Sequence, residues 1–321
     1  MAYAFYNGYF SSGSSGGSEN YLKSLIERNI TEIEIPSGVE AIGAYAFYNC
    51  ASLTRIAAQG GVTSIGAYAF AGCSACLSYD FSATTAVPTL DATAFEGIND
   101  EAVIYVPGTL YREWIRTDVW KDFEGRIEAV GEIPALTPSE GLDITYDSAT
   151  ASYTVNGRGT CSDSILVIPG TYDDGTNGEA AVSKVAARAF ESDATVVELV
   201  FPSTLVTLGS YAFKGCKQLV RVENCYAGGA NDGSFAFWTC SNLAHVHFIG
   251  NGEISSFMFA NNAAVATYDF TDCTEVVIVP DTLYNYLSTG TGTQYLVPAA
   301  LYDEWCAATN WSEYSHLIVA V

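Results

Sequence analysis

Three histidines are the scarcest groups in the chain able to do acid–base or metal chemistry: His245, His247 and His316. His245-Val-His247 places two imidazoles at i and i+2, a spacing that puts both on one face if the segment is a strand. Neutral imidazoles beside carboxylates on neighbouring strands can hold a divalent cation; solvated polar residues on an exposed sheet would have the same pattern and need no ligand. Cys73-Ser-Ala-Cys76 has the spacing of half a zinc or dithiol site, but no second CxxC accompanies it. The 36 acidic residues include no pair whose spacing argues for glycoside hydrolysis over solvated surface. Gly-x-Ser-x-Gly, His-Glu-x-x-His, the phosphate-binding loop and the dinucleotide-binding glycine pattern in strand–helix context are all missing. The residues predict no catalytic site, and they assign no metal and no cofactor.

The elements that would position these side chains repeat. Ile33 to Leu53, IEIPSGVEAIGAYAFYNCASL, returns in part as Val62 to Cys73 and again as Leu205 to Leu219. A small residue followed by Phe traces the register, with Phe at 47, 70, 95, 190, 213, 237 and 259, in steps of 23 and 25, then 23, 24 and 22. Such a period marks a solenoid whose units bury their apolar faces only against neighbours. Within a unit, Glu32 and Glu34 alternate with Ile33 and Ile35, the pattern of a strand with one buried face. Pro36 and Gly38 turn the chain, Val39 and Ile42 resume burial, and Ala46-Phe47 drops into the core. Cys50, Cys73, Cys216 and Cys240 all stand three residues after the tracer Phe. Cysteine is small and tolerates full burial, so these four are expected to stack as a buried column rather than pair as disulfides.

Composition limits the partners. Apolar residues make up 49% of the chain and mean hydropathy is +0.17, ample for an ordered core. With 36 acids against 13 bases the formal charge is −23. That surface repels phosphate backbones and anionic bilayers, so no nucleic-acid partner is expected. No apolar run reaches membrane-spanning length, so no membrane insertion is expected. The first ten residues lack the basic segment and long apolar core of a signal peptide. Export as part of a larger protein, prior removal of a signal, and a different route all fit that observation.

The chain reads as a duplication. Residues 1–29 form a Gly/Ser-rich lead-in with a cap helix over Tyr21 to Arg28; Tyr3 to Gly8 resembles Tyr45 to Cys50, the stub of a repeat. Module 1 covers 30–130 and 131–141 is a Pro-containing linker. Module 2 covers 142–321 and opens with a hairpin from Ile144 to Val155. Each module ends in the same block: Val106-Pro-Gly-Thr-Leu-Tyr-Arg-Glu-Trp114 with Trp120, and Val297-Pro-Ala-Ala-Leu-Tyr-Asp-Glu-Trp305 with Trp311. Terminal units of solenoids are atypical because they must close the stack, and large aromatics serve as lids. A pair of exposed tryptophans forming a sugar platform is the functional alternative for these blocks.

These residues resemble the BspA-like class of bacterial leucine-rich repeats, whose pattern runs approximately L-xx-I-x-I-P-xx-V-xx-I-G-xx-A-F-xx-C-xx-L. Ile33 to Leu53 and Phe201 to Leu219 follow it closely and the other coils in part, over about two thirds of the chain. The resemblance implies a β-rich α+β repeat solenoid of BspA-type leucine-rich repeats in two tandem modules, each with a C-terminal Trp-containing cap. It also implies a non-catalytic surface or secreted protein used for adhesion, extracellular or at the cell surface, whose partner is a host or bacterial surface protein or glycan. Similar repeats with this cap occur in prophage-associated proteins, which keeps a structural or receptor-binding part in a phage tail or fibre as the second expectation. A carbohydrate-binding module is the third. Oligomeric state is left open.

Aligning module 2 by its apolar residues leaves one outward row along the sheet: Glu198, Arg221, Glu223, His245, His247, Thr267 and Asp269. Module 1 offers Glu32, Glu34 and Arg55 on the equivalent face. This row is the expected ligand-binding surface, since solenoid sheets present their ligand sites along one face.

Overall fold

The computed structural model describes residues 30–117, 119–226, 233–279, 287 and 292–321, and the backbone of 3–6 and 9–10. The chain divides into two compact units, Met1–Ala135 and Leu136–Val321. The cap helix expected over Tyr21 to Arg28 lies outside the described residues.

In the first unit, Glu32–Ile35, Arg55–Ala58, Ser78–Asp80, Val103–Pro107 and Ile127–Val130 form one five-stranded parallel sheet in chain order. Each strand comes one coil after the last, so a period near 24 residues becomes one inter-strand step. Val39–Ile42, Ser64–Ile65 and Thr89–Leu90 form a second parallel sheet. Tyr3–Tyr6 lies parallel to Val39–Ile42 and turns back through Tyr9–Phe10. Tyr3–Tyr6, within the predicted stub, therefore covers an edge, where unpaired strand backbone would otherwise be open.

In the second unit, Ile165–Val167, Glu198–Val200, Arg221–Tyr226, His245–Ile249, Thr267–Asp269, Gln294–Val297 and Ile318–Ala320 form a seven-stranded parallel sheet, again in chain order. The hairpin predicted over 144–155 is Asp143–Asp147 paired antiparallel with Ser152–Gly157. The stretch expected as a linker divides. Ser139 is buried; its N–H donates to Val167 O at 2.9 Å, and its Oγ accepts from Val167 N–H at 3.1 Å. Those bonds satisfy the backbone edge of Ile165–Val167, so 136–141 packs with the second unit.

The third side of each coil is the turn that carries the tracer Phe. Residues two before and two after Phe47 have positive φ, Tyr45 at 60° and Asn49 at 57°; around Phe213 they are Tyr211 at 62° and Gly215 at 72°. The two reversals swing the Phe inward and aim backbone N–H groups at the next coil: Phe47 N–H reaches Ala69 O at 2.7 Å and Phe213 N–H reaches Ala236 O at 2.8 Å. Backbone that belongs to no helix or strand is thereby satisfied. The rings stack as columns, with centroid steps of 5.5 and 5.1 Å from Phe47 through Phe70 to Phe95. From Phe190 through Phe213 and Phe237 to Phe259 the steps are 4.9, 5.4 and 4.9 Å. Burying one such ring contributes about 2–3 kcal/mol.

Both C-terminal blocks close their stacks in the same way. Trp114 and Trp120 lie 4.3 Å apart between ring centroids, Trp305 and Trp311 4.6 Å, and all four are at most 1% exposed. The Trp120 indole N–H donates to Pro88 O at 2.6 Å, and that of Trp311 to Val277 O at 2.9 Å. Burial removes these tryptophans as a sugar platform, because a stacking ligand needs an open ring face. They are lids.

Candidate functional site

The local sequence of the third strand in the long sheet departs from alternation. Val222 and Cys225 are both buried but stand three residues apart, and they pair with Val246 and Phe248, which stand two apart. The extra residue is a β-bulge at Glu223-Asn224. Asn224 takes φ 56° and its Nδ2 donates to Phe201 O at 3.1 Å. The bulge aims Glu223 along the sheet at His247.

A chain of charges follows. Arg221 Nε pairs with Glu223 Oε1. Glu223 Oε2 lies 3.4 Å from His247 Nδ1, and His247 Nε2 lies 3.3 Å from Asp272 Oδ2. Side-chain exposure is 11%, 17% and 14% for Arg221, Glu223 and His247, against 68% for Asp272. The network is sunk into the sheet and surfaces at Asp272. Burial works against ionising Glu223, but the His247 hydrogen bond and the Arg221 charge prevail and hold its carboxyl down at about 2. Burial likewise opposes protonation of His247, and the Glu223 carboxylate outweighs it, raising its pKa above the usual imidazole value.

His245 is different. It sits one residue pair away in the same strand, 7% exposed, and its Nε2 has no hydrogen-bond partner among the described residues. Burial first, and then repulsion from Arg221, push its pKa down to about 3. One histidine is thus held neutral and the other is favoured as a cation, which is the opposite of a matched ligand pair. His247 has a carboxylate beside each ring nitrogen, an arrangement that stabilises the imidazolium and occupies both positions a metal would use. Among the described residues no group of three or more His, Cys, Asp or Glu side chains is placed to hold a metal ion.

The register of the predicted row is present. Glu198 pairs with Arg221, Arg221 with His245, His245 with Thr267, and His247 with Asp269. Its exposure is not as expected: Glu198, Arg221 and His245 are buried at 1%, 9% and 7%. Alternation along a strand says which side of the sheet a residue is on; it carries no information about what covers that side. Asp269 turns back on its own loop, its Oδ1 accepting from Thr271 N–H at 2.9 Å and Thr271 Oγ1 at 2.7 Å. Thr267 is half-buried. In unit 1, Glu32 and Glu34 are exposed, while Arg55 reaches across one strand to Asp80 at 3.0 Å. Sequence reasoning missed both Asp80 and Asp272. The Asp-x-Ser turn at Asp80–Ser82, repeated as Asp-x-Thr at Asp269–Thr271, is a local signal for Asp80; Asp272 stands one residue beyond the second turn.

Most of the thiols are enclosed by their surroundings. Eight of the nine cysteines are buried, Cys306 is half-buried, and none of the nine is in a disulfide. Burial pushes Cys73 and Cys273 up to about 12 and also raises Cys50. A thiol that stays protonated in a dry core neither attacks nor exchanges.

Comparison with known proteins agrees with this architecture. The BspA type leucine-rich repeat region matches at residues 23–112 and 179–286, in six copies. No curated protein matches the chain. Among solved structures, a leucine-rich repeat protein of T. pallidum is 18% identical, covers 51% of this chain and 72% of its own, and gives a TM-score of 0.38. A leucine-rich cell surface protein of Faecalibacterium prausnitzii is 18% identical, with 81% and 83% covered and a TM-score of 0.32. The pneumococcal vaccine antigen PcpA is 12% identical, with 91% and 68% covered and a TM-score of 0.33. The matched repeat region spans more than half of the residues and coincides with the stacked coils: this chain belongs to the BspA-type leucine-rich repeat family.

Proposed function

We propose that the chain is a non-catalytic binding protein of the cell-surface or secreted kind, whose sheet face engages a surface protein or glycan. The observation that carries this reading is the charge chain Arg221–Glu223–His247–Asp272, preformed across neighbouring coils and ending at an exposed carboxylate. Side chains already fixed by one another lose little conformational freedom on binding, which favours recognition. The same fixing speaks against catalysis: His247 is engaged at both nitrogens, His245 is neutral and buried, and eight of the nine thiols are buried. The resemblance of the repeats supports an extracellular or cell-surface setting. No helix among the described residues is long and apolar enough to cross a membrane.

The test is a binding screen of the purified chain against immobilised host matrix proteins, bacterial surface proteins and glycan arrays, followed by Asp272→Asn and His247→Gln on any hit. Loss of about tenfold or more in affinity in either variant supports the sheet face. A hit that both variants leave unchanged sinks it, as does turnover of any ligand.

A further inference from the structure

The turns of the second unit carry an array that the sheet does not use. The residue two before each tracer Phe is Arg188, Tyr211, Phe235 and Phe257 in successive coils, all with φ between 56° and 62°. A bulky side chain in this left-handed region is strained. Four coils in a row accept that strain with a large side chain. The result is a ladder. The Arg188 guanidinium lies 4.8 Å over the Tyr211 ring, Tyr211 stacks on Phe235 at 5.2 Å, and Phe235 stacks on Phe257 at 5.0 Å, with the rings within 7° of parallel. Trp238 sets its ring against the edge of the ladder, 5.7 Å from Phe235. Lys214 Nζ sits 5.4 Å from Tyr211 and 5.2 Å from Trp238. Phe257 at the far end is 38% exposed.

Charge is unevenly placed around it. Glu191 pairs with both Arg188 at 2.6 Å and Lys214 at 2.9 Å, one carboxylate shared by two cations. Arg188 and Lys214 leave a net positive charge beside the rings, while the whole chain stands at −23. The strip is cationic at one end and apolar at the other.

We propose that this aromatic–cation strip is a second binding site, which takes an extended acidic peptide bearing a large apolar side chain. Its carboxylates meet Arg188 and Lys214, and its apolar side chain covers Phe257 and Trp238. Ring chemistry favours this occupant over a sugar. The faces of Tyr211 and Phe235 are spent on stacking, and the edges left open carry the positive part of the ring quadrupole, which suits carboxylate and carbonyl oxygens. An acidic segment is repelled by the rest of the surface, so its encounter is confined to this strip. Screening over about 8 Å at physiological salt keeps that repulsion from reaching the site. The proposal is independent of the sheet-face reading, since the residues and the coil side differ.

Trp238 makes the test selective, because the other four tryptophans are at most 1% exposed. Acrylamide quenching of the full chain therefore reads Trp238. The probe is a synthetic peptide of glutamates ending in leucines, compared with its lysine counterpart and with polygalacturonate. The expected result is salt-sensitive shielding of Trp238 by the glutamate peptide. Shielding weakens about tenfold in Lys214→Met, which keeps the stem on the rings and removes the charge, and in Phe257→Ser. Asp272→Asn leaves it unchanged. Absence of shielding overturns the proposal, as does equal shielding by the lysine peptide or in both strip variants. Tighter shielding by polygalacturonate assigns the strip to a glycan instead, and shielding that grows with protein concentration alone assigns it to a second copy.

Discussion

The Sγ of Cys216 lies 3.1 Å from the carbonyl oxygen of Phe190, one coil earlier, and donates its S–H there. Cys240 does the same to Phe213 at 3.2 Å and Cys73 to Phe47 at 3.1 Å. In the next coil Asn262 takes the slot, and its Nδ2 donates to Phe237 O at 2.8 Å. What recurs is a small buried donor facing the carbonyl of the preceding tracer Phe. Sulfur is one way to supply it.

Replacing the donor should therefore cost stability without any redox consequence. Cys216→Val removes the bond and adds about one methyl group of volume; the Phe190 carbonyl still accepts from Asp193 N–H at 3.0 Å. We expect a loss of about 1 kcal/mol by urea unfolding. Thiol titration of the native chain should reach Cys306 alone, with the remaining eight appearing only on denaturation. Prompt labelling of several thiols in the folded state would contradict the column.

The position two after the tracer Phe has positive φ in every repeat coil, filled by Gly72, Gly97 and Gly215 in some and by Thr239 at 61° in another. A β-branched residue is strained there. Thr239→Gly should stabilise the second unit by roughly 1 kcal/mol, the relief of strain exceeding the entropic penalty of glycine. A lower melting temperature for the variant would show that Thr239 earns its place through contacts not reflected in its backbone angle.

The two caps discriminate between their own tryptophans. Trp311 donates its indole N–H to Val277, whereas the Nε1 atoms of Trp305 and Trp114 are buried with no partner among the described residues. Trp311→Phe should accordingly cost about 1–2 kcal/mol more than Trp305→Phe, and Trp311→Ala about 3–5 kcal/mol. Calorimetry of the three variants checks the order; equal losses for the two Phe variants would deny the indole bond its role.

Acid should act on the two neighbouring histidines with opposite signs. His247 has a raised pKa, so the native state holds its proton more tightly than the unfolded chain. Its contribution is complete below pH 6.5 and is lost as pH rises through the native value. His245, at about 3 against 6.5 unfolded, does the reverse: the unfolded chain binds the proton first, and stability falls as pH drops from 6.5 toward 3. Glu223 adds a loss as pH falls from 4.5 toward about 2. His247→Gln should then be more destabilising at pH 6 than at pH 9, by up to about 1 kcal/mol, and His245→Asn should flatten the acid limb. Denaturant titrations across that range decide it, and a His247 variant weakest at pH 9 would reverse the assignment.

Periodicity alone determined the solenoid, its two modules and the buried status of Phe47, Phe213 and Phe259. A pattern repeated at about 24 residues has one economical solution, stacked coils with the apolar positions inward. The paired Trp blocks were legible as lids for the same reason, since they recur where a stack must end. The row Glu198–Arg221–His245–Thr267 could also be read, because strand alternation and coil register are both local properties. Only the tertiary structure decided what that row is. The bulge at Glu223-Asn224 re-aims a carboxylate by one residue, the loop after Asp269 brings in Asp272, and burial makes His245 neutral while His247 stays paired. Each of these depends on what lies across or above a strand, at contact distance and far apart in the chain. Charge state follows from those surroundings, which no spacing of residues encodes.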